Sequence, residues 1–182
     1  MAGEAVAAQG EEARKDPVAS IAGQVANLSM GDRTSLRRLY LTQASGSRSR
    51  AADGVVIGLL HRAGVTVPGY SEAYEAWKLL AHVAAVLSGT GGKHPHAPGK
   101  RFGAALQAAG CSENRFMRLT AARGAPLRHQ IRLAARMLAQ SGETPVDLWS
   151  VLLLAGRDAD EARIRIAQDY YAAQARSEGT IK

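Results

Sequence analysis

Residues 71–88, SEAYEAWKLLAHVAAVLS, do most to limit what this chain can fold into. Ser71 is a suitable helix N-cap, and the residues after it follow helical spacing. The second half is apolar on nearly every side, which demands a helix surrounded by other elements. Wherever periodicity is legible elsewhere it is also helical, and no segment alternates convincingly at period two. The expectation is an all-α protein of two small bundles with about nine helices.

The expected organisation is a flexible N-terminal tail at 1–16, an N-terminal bundle at 17–88, a Gly/Pro-rich loop at 89–99, a basic C-terminal bundle at 100–176 and a tail at 177–182. A first helix is expected over 18–28, following Pro17. A second has Asp32 as N-cap and aligns Leu36, Leu39 and Tyr40, with Arg33 and Arg37 on a flank. Less regular spacing marks a third over 53–61, and Ser71 opens the fourth. Later helices are expected near 101–109, 112–122, 126–140, 145–154 and 158–176. Ser112 can cap one of these, Pro126 and Pro145 fit first turns, and Thr144 is placed to cap the helix at Pro145.

The apolar run around residues 79–87 is too short to cross a bilayer. The opening MAGEAVAAQGEEARKDP is acidic and Ala-rich, without the basic-then-apolar order of a signal peptide. A cytoplasmic protein with no membrane partner is expected. The single cysteine, Cys111, excludes an internal disulfide framework and reads as a structural residue.

The net charge of +7 becomes informative once it is located. Residues 100–136 hold Lys100, Arg101, Arg115, Arg118, Arg123, Arg128, Arg132 and Arg136 against the lone acid Glu113, a net of +7, while the flanking segments nearly cancel. Charge of one sign at this density repels itself, and a polyanionic partner compensates it. Seven of the eight are arginine, whose planar fork matches phosphate oxygens.

On the helix over 126–140, Leu127, Ile131, Ala134 and Leu138 cluster within about 60° of arc. Arg128, Arg132 and Arg136 form a second stripe roughly 130° away, pointing outward. Arg115 and Arg118 stand off the Phe116 and Leu119 side of the preceding helix. A solvated face with salt bridges is the plain alternative, but like charges at this spacing repel by a few tenths of a kcal/mol per pair and acidic partners are missing locally. With only Phe102 and Phe116 as aromatics in the segment, backbone tracking by arginines fits better than base stacking.

Other chemistry is less well supported. His94 and His96 in HPH lack nearby carboxylates or cysteines and read as surface histidines, so no metal is expected. GTGGK fails as a phosphate loop because Leu87 stands where the first glycine belongs and a helix precedes it. Asp158, Asp160 and Glu161 are explained by a helix start. For a helix-turn-helix reader over 112–140 the outward stripe is long and purely arginine, with no Asn or Gln within that stripe poised to read bases, which favours phosphate contact over specific readout.

Taken in order, GDRTSLRRL, AYEAWKLLAHVAAVLSG, the Gly-rich loop, RFGAALQAAGCSENRFMRL, the helix with Arg132 and Arg136, PVDLW and the terminal DYY resemble the CasB family, the small subunits of the type I-E CRISPR Cascade complex. The likeness covers most of residues 28–175 and rests on the order and spacing of the motifs. It implies an all-helical, two-bundle protein with no catalytic site and no cofactor. It further implies assembly, usually as two copies, beside the backbone and large subunits, with guide RNA and target DNA as partners and the displaced strand of the R-loop on its basic surface. The basic positions map onto Arg37, Arg38, Lys100, Arg101, Arg115, Arg123, Arg128, Arg132 and Arg136; the helical spacing adds Arg118. This chain departs from the family where Leu148 separates Asp147 from Trp149, and where Ala155 and Ala167 stand in a region often richer in Trp. A stand-alone helical DNA-binding regulator is the alternative.

Overall fold

Helix α1 (Pro17–Ala26) begins where Asp16 caps it. Its Oδ1 accepts the Val18 and Ala19 N–H groups at 2.9 and 3.3 Å, with Pro17 in the first turn. The computed structural model describes residues 16–40, 46–69, 71–89, 91–156 and 159–179. Residues 1–15 of the expected N-terminal tail, the end of the C-terminal one and Asp158 lie outside them.

Helix α2 (Met30–Arg37) is capped by Ser29, one turn before the expected Asp32. Ser29 Oγ accepts from Asp32 N at 3.1 Å and donates to Asp32 Oδ2 at 2.8 Å. The pair closes reciprocally, and the Asp32 carboxylate sits in the first turn at the positive end of the helix. Helix α3 (Gly46–Arg62) starts earlier than the spacing indicated. Helix α4 (Glu72–Leu87) opens at Ser71 as expected, and Leu79 through Ala85 are buried without interruption. It packs against α1, α2 and α3, and also against α7 (Gly124–Ser141) and α8 (Trp149–Ala155). One apolar cluster runs from Val18 to Tyr170 around it.

Helices α5 (Phe102–Ala108), α6 (Glu113–Ala121) and α9 (Ala159–Gly179) complete the nine helices of the described residues. The chain is all-α, and among the described residues a single parallel bridge, His96 to Val146, lies outside the helices. None of the described helices is long and apolar enough to cross a membrane. Helix α5 lies tightly on α9 because Gly103 has no side chain: a Cβ there would meet the Ile166 carbonyl carbon and Tyr170 nitrogen at 3.0 Å. Phe116 of α6 stacks on Tyr170, with ring centroids 4.0 Å apart and planes at 6°, and Tyr170 Oη donates to the Cys111 carbonyl at 2.6 Å. The α6 arginines are thereby mounted on a fixed support.

Two expectations fail in the chain after α7. The helix expected from Pro145 starts only at Trp149, because the preceding backbone is committed to the Gly/Pro-rich loop. Val146 donates to Pro95 O and accepts from Ala97 N, both at 3.1 Å, and Asp147 N donates to Lys100 O at 2.8 Å. Asp147 Oδ1, rather than Thr144, receives the first helical N–H, from Trp149 at 3.0 Å. His96 is not a surface residue. It is 4% exposed, and its Nδ1 accepts the Leu148 N–H at 3.1 Å.

Candidate nucleic-acid interface

Helix α7 buries Leu127, Ile131, Ala134 and Leu138, as its periodicity requires. Its arginine stripe is not fully outward. Arg128, Arg132 and Arg136 are all half-buried, because α7 lies against α4 and Tyr40, just beyond the end of α2, folds over the same edge. The Arg132 guanidinium sits 4.7 Å from the Tyr40 ring centroid, and its Nη2 donates to the Tyr40 carbonyl at 3.4 Å. Stacking on an aromatic face suits the planar cation. Burial, aided by the neighbouring Arg136 charge, lowers the Arg132 pKa.

His82 lies beneath this edge. Its Nδ1 is 2.9 Å from the Leu36 carbonyl, an acceptor only, so that nitrogen carries the proton. The Tyr40 ring meets His82 edge-on, with centroids 5.1 Å apart. Burial pushes the His82 pKa down to about 4; the Leu36 hydrogen bond opposes this and the Arg132 and Arg136 charges add to it. The imidazole is neutral at ordinary pH, and the positive charge here belongs to the arginines.

The ten basic residues singled out in the sequence divide by what they touch. Arg37 is bound into the fold: its Nε donates to the Ala85 carbonyl at 2.9 Å and its Nη2 to that of Gly89, closing the end of α4. Arg101 pairs with Asp169 at 2.7 Å, and Lys100 with Glu143 at 3.7 Å. Arg123 donates to the carbonyls of Thr120, Ala121 and Ala122 at 2.9–3.0 Å and to Asp160 at 3.3 Å, capping α6. The acids that answer these cations come from distant parts of the sequence, where a local charge census does not register them.

Arg38, Arg115, Arg118, Arg128 and Arg136 have no carboxylate partner among the described residues. Arg115 and Arg118 project from the exposed face of α6 while Phe116 and Leu119 bury the other. With Arg136 of α7 they border a groove of about 420 Å³ between the two helices. Arg128 lines a second cavity with Arg123 and Arg163 at the start of α7. Arg38 is exposed at the end of α2. Lys100 and Arg101 stand apart from this set, beside the loop at residues 89–99 and the α9 acid that pairs with Arg101.

The sequence pattern does not mark the side chains between the arginines. Gln130, Leu133, Met137 and Gln140 line the α6–α7 groove. Only the packing of α6 on α7 identifies them, although Leu133 lies well off the apolar stripe and signals a second face. Helical spacing places Tyr40 on the apolar side of its helix and carries no sign of its contact with Arg132, 92 positions later. Cys111, at the edge of the groove, is buried, and that burial raises its pKa despite the Arg115 charge; its place is structural.

No group of three or more His, Cys, Asp or Glu among the described residues is arranged to hold a metal ion. Fold and surface together define an all-helical protein whose Arg115, Arg118, Arg128 and Arg136 have no carboxylate partner among the described residues, a form suited to polyanions. The sequence pattern of the CRISPR-associated protein Cse2 family matches residues 32–171. The chain belongs to that family, the CasB small subunits of type I-E Cascade. No curated protein and no solved structure matches it. It is a small Cascade subunit, working in a complex with other subunits.

Proposed function

We propose that this small subunit is a non-catalytic holder of nucleic-acid backbone, with Arg115, Arg118, Arg128 and Arg136 contacting phosphates and Arg38 and Arg132 supporting them. The observation that carries this reading is the division of the basic residues: Lys100 and Arg101 each pair with an acid and Arg123 shares Asp160 with Arg163, whereas the α6 and α7 arginines have no acid partner among the described residues. Uncompensated arginines that repel one another are stabilised by phosphate. In RNA-guided recognition, base pairing with the guide reads the target, and exchange of one duplex for another is nearly balanced in energy. Contacts to target DNA and the displaced strand then tip it towards the R-loop. The helices of residues 17–88 serve as one bundle, and those of 100–176 as the basic bundle presented to the strands. The partners are the backbone and large subunits, guide RNA, target DNA and a second copy of this chain, in the cytoplasm.

The test is Cascade assembled with Arg115, Arg118, Arg128 and Arg136 all changed to Gln. The altered subunit is expected to enter the complex at wild-type stoichiometry and to shorten the R-loop lifetime. An unchanged lifetime refutes the reading.

A further inference from the structure

The α6–α7 groove offers more than a row of phosphate contacts requires. Its volume of about 420 Å³ falls within the roughly 300–1,000 Å³ of small-molecule sites. Arg115, Arg118 and Arg136 border it, and apolar surface from Leu133 and Met137 lies between them, with Leu133 44% exposed. A sugar–phosphate ribbon makes no use of that apolar surface. A ligand carrying both an anion and a flat apolar body does.

We propose that this groove receives one unpaired nucleotide of a single strand, its phosphate among the three arginines and its base against Leu133 and Met137. This rests on the reading that the face holds nucleic acid, and adds a preference for exposed bases over duplex. Charge complementarity favours a nucleotide: three cations and no acidic residue line the groove. Gln130 and Gln140 supply amides that donate and accept, so either can meet the edge of any base. Met137 adds a polarisable sulfur, which makes favourable contacts with aromatic rings. With no aromatic side chain in the lining, the base is held by apolar contact without stacking, and discrimination among the four bases is weak. In a duplex the bases are hidden from the groove, and only the arginines act.

The full-length chain is titrated with a fluorescent oligothymidylate and with an abasic strand of equal length and charge, at matched salt. The base-bearing strand is expected to bind about fivefold tighter, the effect of covering part of one base with apolar surface. Leu133→Asn, at an exposed position that tolerates the change, is expected to remove most of that preference and leave abasic-strand affinity unaltered. Equal affinity for the two strands, both salt-sensitive, overturns the groove proposal while the backbone reading stands. Absence of salt-sensitive binding to either strand overturns both. If Leu133→Asn lowers entry into Cascade and leaves the base preference intact, the groove holds a protein segment and the proposal is wrong.

Discussion

Replacing Gly103 with alanine probes the contact that supports the basic face. The added Cβ meets the Ile166 carbonyl carbon and the Tyr170 nitrogen at 3.0 Å, and the Ile166 oxygen more closely still. These are backbone atoms of α9 and cannot rotate aside, so α5 and α9 must separate by about 1 Å to restore ordinary contact. Separation loosens Phe102, Leu106, Ile166 and Tyr170, all buried there. Overpacking a core costs about 1–3 kcal/mol, and a backbone obstacle puts this case near 3 kcal/mol. Alanine's better helix propensity returns at most about 1 kcal/mol. For a chain of this size each kcal/mol moves the Tm by roughly 2–4 °C, so a fall of about 4–12 °C is expected. Far-UV circular dichroism melts near neutral pH measure it. Gly54→Ala is the control: that helical site is exposed, with nothing within 4 Å of an added Cβ, and the change should raise stability by about 0.5–1 kcal/mol. A Gly103→Ala protein melting at or above the wild type refutes the packing argument.

Three further outcomes follow from the same geometry. Arg37→Ala leaves the Ala85 and Gly89 carbonyls without their charged donor and should cost about 2 kcal/mol in chemical denaturation, with no change in the salt dependence of nucleic-acid binding. Asp16→Ala removes both the cap of α1 and the acceptor of Trp149 Nε1, held at 3.1 and 3.2 Å, and should lower stability by about 2 kcal/mol. His82 has a folded pKa of about 4 against an ordinary 6.5, so between these values the unfolded chain binds the extra proton. Its contribution is complete above pH 6.5 and is lost as pH falls to 4, on the order of 3 kcal/mol. His82→Gln should therefore lose less stability than the wild type over that window; identical pH profiles would show that His82 is not buried as described.

The helices, the central place of α4 and the buried stripe of α7 were legible because periodicity is a local property that packing here reinforces. Ser71 was found for the same reason, since a cap acts within one turn. The start of α8 was not, because Val146 and Asp147 bond to Pro95, Ala97 and Lys100, far away in the sequence. The same distance hid the roles of two arginines. Arg37 reaches the end of α4, and Arg132 reaches Tyr40, 92 positions earlier. Both match an exposed cation in sequence pattern and are partly covered in the fold. The concentration of charge at 100–136 was evident from composition, whereas its division into neutralised and uncompensated members required Glu143, Asp160 and Asp169 in three dimensions.

The central claim is that Arg115, Arg118, Arg128 and Arg136 meet phosphates, and its most direct test is the slope of log affinity against log salt for a single strand. Each phosphate contact on a single strand contributes about 0.7 to that slope, so changing all four to Gln should flatten it by about 3. Parallel slopes for the wild type and the variant, with folding intact in both, would contradict the account.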